Sequence, residues 1–351
     1  MLKNKKINPF VMSAIGASVL FGASTPFEKL FIHNITPIFM AGLLYLSSGI
    51  GLAAIRLLRD KKWLASGLKK TEWKWFIGAL CTGGILAPIL LLEGLKLTSS
   101  SNASLLLNME AVFTAITAWV IFKENADKRI VIGMIFIVIG GVILSIQNGE
   151  NGTNTILGAS LIILACLCWS TDNNFTRKIS ASDSLYIGSI KGLVAGGINV
   201  YIGYLIGSSF PEQSVVYFLI ICGFFCYGIS LILFIISLRG LGASRAGAYF
   251  SLSPFIGAGL ALIFFNQRPT FYFWIAAIAM GVGAWLYLTE KHIHEHTHDR
   301  TIHSHSHGHN EGHHTHNHDV EFNSSRYHTH IHEHKTIKHS HHHYPDTDHI
   351  H

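Results

Sequence analysis

The sequence predicts an all-α membrane protein: ten transmembrane helices forming two inverted five-helix repeats, followed by a disordered histidine-rich tail. Three observations carry that prediction. Between Pro9 and about Leu288 the chain is a series of apolar runs about 20 residues long, the length that crosses a hydrocarbon core about 30 Å thick. A segment of the first half returns in the second at a constant offset of 143 residues. Past Leu288 no apolar run occurs, and 22 of the 23 histidines fall between His292 and His351, leaving only His33 before them.

Taken in order, residues 1–8 form a basic N-terminus that precedes an apolar run. That run continues into "STPFEKLFI" without a small-residue cleavage site, so it reads as a retained first helix and not as a signal peptide. Apolar runs between polar breaks place helices at 9–32, 36–57, 75–97, 101–122, 130–147, 156–177, 184–208, 214–238, 243–265 and 271–288. The first repeat then spans 9–147, the second 156–288, and the tail 289–351. Buried soluble helices imitate one or two such runs, but not ten in succession.

Orientation follows from Lys and Arg near the span ends, which favour the cytoplasmic side. With the N-terminus inside, the inner segments hold 17 of these residues and the outer ends only Lys29, Lys96 and Arg268. Both termini, and with them the tail, are therefore expected in the cytoplasm, in a plasma membrane (the inner membrane if the source is bacterial). Topology accounts for much of the net charge of +6. The five cysteines, Cys81, Cys166, Cys168, Cys222 and Cys226, all lie inside apolar runs, which is no disulfide framework.

The repeat is clearest between "LKLTSSSNASLLLNMEAVFTAITAWVIFKE" (Leu95 to Glu124) and "LRGLGASRAGAYFSLSPFIGAGLALIFFNQ" (Leu238 to Gln267), and the same offset carries Gly140 onto Gly283. Each half has five helices, an odd number, so the halves insert with opposite orientation. Inverted repeats of this kind build the two access states of many secondary transporters around one midplane site.

"GASTPFEKLF" in helix 1, "TSSSNASLLLNMEAVFTAITAWVIFKE" over helices 3 to 4, "ACLCWSTDNNFTRK" in helix 6 and "GLGASRAGAYFSLSPFIGAGLAL" in helices 8 to 9 resemble the EamA branch of the drug/metabolite transporter superfamily. The resemblance covers residues 9 to 288 and implies the two-repeat fold and the transport of a small molecule. Where that family carries a Glu-Pro pair, this chain has Glu110-Ala111 in the first half and Ser253-Pro254 in the second. An arginine common early in helix 2 is replaced by an apolar residue near Leu43, while Lys191 stands at the matching place in helix 7.

Ionisable groups in hydrocarbon are costly, so each needs a partner or a water-lined cavity. Glu110 falls near the middle of helix 4, with Thr114 and Thr117 on its face and Asn108 close by, and no basic residue at its depth. It is poised to exchange a proton or meet a cationic substrate group, or else it is a packing carboxyl bonded to a neighbouring helix. Asp172, Asn173 and Asn174 lie in the cytoplasmic third of helix 6, and Lys191 at similar depth in helix 7, so Asp172 and Lys191 are expected to pair as a gate or a clamp. Glu28, Lys29 and Glu93 mirror them in the outer third, either as outer-gate residues or as side chains snorkelling to the interface, the reading favoured for Lys29. Cys222 and Cys226, four residues apart, and Cys168, on the face of Asp172, are either soft-metal ligands or small apolar filler.

The tail is polar and repetitive and cannot form a packed core. Its His-x-His and His-His-His runs assemble sites for Zn, Ni, Co or Cu from His292, His294, His296, His298, His303, His305, His307, His309, His313, His314, His341, His342 and His343. A second reading is a pH-responsive polycation beside the anionic inner leaflet.

Three functions remain open. The first is a secondary transporter of a small polar, amino-acid-like metabolite, working by alternating access with a metal-binding regulatory or buffering tail. The second is a divalent-metal exporter whose tail captures Ni, Zn or Co, although the ten spans contain no histidine and few carboxylates or thiols. The third is a membrane-anchored metal sensor without flux. No nucleophile and base set or cofactor motif points to an enzyme, no cofactor is called for, and no nucleic-acid partner is expected. The partners are the lipid bilayer, a small-molecule substrate, metal ions for the tail, and a second copy if the chain forms a homodimer.

Overall fold

The computed structural model describes residues 8–62, 67–121, 128–146 and 155–289, with short segments of the tail. Helix starts follow the local sequence. Pro9 and Pro37 sit at the first helical positions of α1 (Pro9–Gly22) and α3 (Pro37–Asp60), where a missing N–H costs nothing. Asn8, Ser99, Thr155, Asp183 and Thr270 each accept a backbone N–H at the start of α1, α6 (Ser100–Leu106), α9 (Ile156–Ile179), α10 (Ser184–Leu205) and α14 (Phe271–Leu288). α3 stops where Lys61 turns left-handed at φ 56°.

Among the described residues, nine helices are long and apolar enough to cross a membrane. Several are not simple rods. The first is divided at Ala23 into α1 and α2 (Ser24–Phe31). The third is α4 (Trp73–Ala79) joined to α5 (Ala87–Lys96) by a π-helical stretch, Leu80–Leu86. The segment expected at 101–122 is α6 and α7 (Met109–Val120), interrupted at Leu107 and Asn108, and α8 (Lys128–Ile146) follows. In the second half, α11 (Gln213–Cys222) passes through a second π-helical stretch, Gly223–Ile229, into α12 (Ser230–Phe250). Gly242 bends α12 with a non-helical backbone at φ 77°, and α13 (Ser253–Phe264) begins after a break at Ser251 and Leu252.

These interruptions repeat with the sequence. The two π stretches start 143 residues apart, at Leu80 and Gly223, and end 143 apart, at Leu86 and Ile229. The break before α7 likewise has its counterpart in the break before α13.

Glycine sets how closely the halves approach. A Cβ on Gly49 would lie 2.3 Å from the Leu193 backbone, and one on Gly192 2.5 Å from the Gly49 backbone, so α3 and α10 meet backbone to backbone. α8 and α14 pair in the same way through Gly133 and Gly283. One buried cluster runs from Phe39, Leu44 and Leu91 through Leu105, Ile162 and Met280, and the outer faces of α8 and α14 keep Ile135, Ile139, Ile278 and Trp285 exposed, as lipid-facing helices require.

In the tail, taken by itself, the described segments are β1 (Glu295–His298), β2 (Thr301–His307), β3 (His328–His334) and β4 (Ile337–Ser340). β1 pairs antiparallel with β4 and β2 with β3, so a segment expected as disordered contains two short ladders. The His-x-His alternation matches the two-residue period of a strand. Of the proposed metal-binding histidines, His296, His298, His303, His305 and His307 fall in these strands. His292, His294, His309, His313, His314, His341, His342 and His343 lie outside the described residues.

Candidate functional site

The interrupted helices meet around a cavity between the two halves. Its polar wall is Glu110, Asn173, Asp172, Lys191, Ser48 and Ser230, and its apolar wall is chiefly Phe21, Tyr45, Trp169, Tyr227, Phe234 and Phe250. A second, smaller cavity shares Phe21, Glu110, Asn173 and Phe250 and continues past Thr114, Ser253 and Pro254. Glu110 and Asn173 therefore stand between two spaces.

The π stretch at Leu80–Leu86 positions one side of the site. π turns interrupt the regular ladder and recur at functional positions. Here the Gly83 carbonyl accepts hydrogen bonds from Tyr45 Oη at 2.7 Å and Trp169 Nε1 at 3.1 Å. The missing side chain matters as much, because a Cβ on Gly83 would lie 1.9 Å from Asp172 Oδ2. Asp172 fills that notch. Its Oδ1 accepts from Thr176 Oγ1 at 2.9 Å, and its Oδ2 pairs with the Lys191 ammonium. Both charged side chains are buried, so each is the other's compensation.

The break before α7 positions the other side. It leaves Glu110 in the first turn of a new helix, whose unsatisfied N–H groups favour a carboxyl there. Glu110 Oε1 accepts from Asn173 Nδ2 at 2.7 Å, and no cation among the described residues pairs with it. Asn108 turns inward on the break itself, donating to the Leu105 carbonyl at 3.0 Å. Asn174 Nδ2 bridges the Ser170 and Thr114 carbonyls at 2.9 and 3.3 Å, and so ties α9 to α7. The Thr114 hydroxyl is buried without a partner and lines the smaller cavity.

The second π stretch carries Tyr227, whose ring lines the cavity and whose hydroxyl donates to Glu28 Oε1 at 2.5 Å. Glu28 is fully buried one hydrogen bond behind the wall. Each half thus places an acid against the π stretch of the other: Asp172 on Gly83, and Glu28 on Tyr227.

Of the residues singled out in the sequence, Glu110, Asp172, Asn173 and Lys191 line one cavity, Thr114 lines its neighbour, and Glu28, Asn174 and Asn108 lie around them. Glu93 does not join the site. It is 46% exposed and reaches Lys96 at 4.0 Å. Lys29 does not end as a free snorkelling amine, since its Nζ donates to the Leu95 and Thr98 carbonyls at 2.5 and 2.9 Å around the end of α5. Cys226 lines the cavity, but among the described residues no group of three His, Cys, Asp or Glu side chains is placed to hold a metal ion. The aromatic wall went unread in the sequence. Trp169 precedes Asp172 by three residues and Asn173 by four, a spacing that puts it on their face.

At one end of the bundle Arg56 and Arg59 donate to Asp183 Oδ2 at 2.9 and 2.6 Å, joining α3 to the start of α10. Arg239 adds bonds to the Ser180 and Ser182 carbonyls, both at 2.9 Å. Partial burial would raise the Asp183 carboxyl, and the hydrogen bonds from Arg59 and Arg56 outweigh it, holding Asp183 below the ordinary carboxylate range. At the other end Thr155 N donates to the Leu97 carbonyl at 3.0 Å, beside the Lys29 contacts.

Known proteins match this arrangement over both halves. The model of the EamA-like transporter family matches residues 8–146 and 156–289. An uncharacterized transporter of Methanothermobacter thermautotrophicus is 28% identical over 292 residues, 78% of this chain and 84% of its own length. One from Archaeoglobus fulgidus is 24% identical over 78% of this chain and 95% of its own, and the uncharacterized transporter YyaM of Bacillus subtilis is 24% identical over 72% and 84%. A solved crystal structure superposes with a TM-score of 0.62 at 16% identity, over 78% of this chain and 94% of that one, which speaks to the fold alone. With two matched repeats, membrane-crossing helices and a shared cavity, the chain belongs to the EamA-like transporter family, as a multi-pass membrane transporter.

Proposed function

We propose that this chain is a secondary transporter that moves a small polar, amino-acid-like metabolite by alternating access of its two halves. The observation that carries the reading is the cavity between the halves, where Glu110 faces a cargo space with the Asn173 amide as its one side-chain partner among the described residues. In this reading the broken segment α6–α7 completes a tenth crossing, and each half contributes five. Both termini lie in the cytoplasm, as the distribution of Lys and Arg favours. The Arg56, Arg59 and Asp183 cluster then closes the cytoplasmic end, and the Lys29 contacts close the outer end.

The histidine tail acts as a buffer or regulator that binds Zn, Ni, Co or Cu through His-x-His sites. A metal-exporting pore has less support, because a dehydrated cation needs several converging ligands on its way, and among the described residues no three His, Cys, Asp or Glu side chains converge, Asp172 being paired with Lys191. Counterflow in vesicles tests the proposal. Metabolite flux should survive truncation after Glu290 and stop in Glu110→Gln, whereas a metal exporter would move Ni or Zn and lose transport with its tail.

A further inference from the structure

The charges of the cavity wall are unequal. Asp172 and Lys191 neutralise each other in a pair locked by Thr176 and by the notch at Gly83. Glu110 is then the one lining charge without an opposite partner among the described residues. Beside it the rings gather on Phe21, whose centroid lies 5.6 Å from Trp169, 5.8 Å from Tyr227 and 5.3 Å from Phe250. Aromatic faces carry negative quadrupole density and attract cations, most of all where water is excluded.

A carboxylate entering this space meets no available cation unless the Asp172 and Lys191 pair opens. An ammonium meets a carboxyl and an aromatic wall with nothing to break. We infer that the cargo is an organic amine, cationic at neutral pH and without a carboxylate, its nitrogen on Glu110 and its apolar body against Phe21, Trp169, Tyr227 and Phe250. The inference rests on the transport reading for its word "cargo" and narrows amino-acid-like to the amine end of such molecules.

Matched pairs test it: tyramine against tyrosine, tryptamine against tryptophan, and phenethylamine against phenylalanine and 3-phenylpropionate. Binding is measured by calorimetry on the full chain in nanodiscs, and counterflow of the same compounds is measured in vesicles. At least one amine should bind about tenfold or more tighter than its carboxylate-bearing partner, and Glu110→Gln should weaken it about tenfold at an unchanged melting temperature. Asp172→Asn, which leaves the Lys191 ammonium without its carboxylate, should shift the preference toward the amino acid. Equal or tighter binding of the amino acids, no binding by any amine, amine binding indifferent to Glu110→Gln, or an Asp172→Asn preference unchanged from the parent would each overturn the inference. Amine binding with this dependence but without counterflow would uphold it and contradict transport.

Discussion

The two halves share a backbone and differ in chemistry. The π stretches coincide at an offset of 143 residues, and the breaks that precede α7 and α13 fall within one residue of the same offset. The side chains at matched places do not. Glu110 in the first half corresponds to Ser253 in the second, Lys191 in the second to Ser48 in the first, and Gly83 to Cys226. Backbone interruptions therefore serve the shape of the cavity, which both halves build alike. In the proposed reading charge serves what occupies it, and there one copy of each group suffices.

The largest expected effect breaks the comparison at Gly83. A Cβ there would lie 1.9 Å from Asp172 Oδ2, so Gly83→Val should cost about 3 kcal/mol or more and sharply lower the melting temperature in detergent. Its counterpart change, Cys226→Ala, should cost only about 1 kcal/mol, since that half accommodates a side chain at the same place. Lys191→Met comes next. It strands the buried Asp172 carboxylate and should cost about 3 kcal/mol, while Asp172→Asn combined with Lys191→Met should recover most of the loss. Ser48→Ala, at the matched site, should stay within about 0.5 kcal/mol.

How legible all this was depends on what each residue's signal is local to. Apolar run length revealed the spans, and the repeat revealed their relation. Glu110, Asp172 and Lys191 stood out because ionisable groups in an apolar run need a reason. Tyr227 and Glu28 are 199 residues apart in sequence, so their bond follows only from the tertiary fold. Phe21, Trp169 and Phe250 were hidden for another reason: in a lipid-facing protein an aromatic side chain is unremarkable on either face. The Lys29 bonds were hidden in the same way, because the carbonyls it meets at the end of α5 lie 66 and 69 residues away.

The smallest expected effect separates the two ends of the bundle. Asp183 is held below its ordinary value, so its contribution to stability is complete above about pH 4 and is lost as pH falls through its folded value. Acid should loosen the backbone around Ser180 to Leu185 before it loosens the Lys29 end, where the acceptors are carbonyls. Hydrogen exchange at graded pH reads that order, and Asp183→Asn should abolish the difference already at pH 7.

The central claim is that Glu110, and not its counterpart Ser253, makes the cavity a transport site. Counterflow of an accepted substrate in vesicles, measured for the parent, Glu110→Gln and Ser253→Ala at matched reconstitution, tests it most directly. The account predicts that Glu110→Gln reduces flux at least about tenfold while Ser253→Ala retains most of it. Flux that persists in Glu110→Gln, or falls equally in both variants, would contradict it.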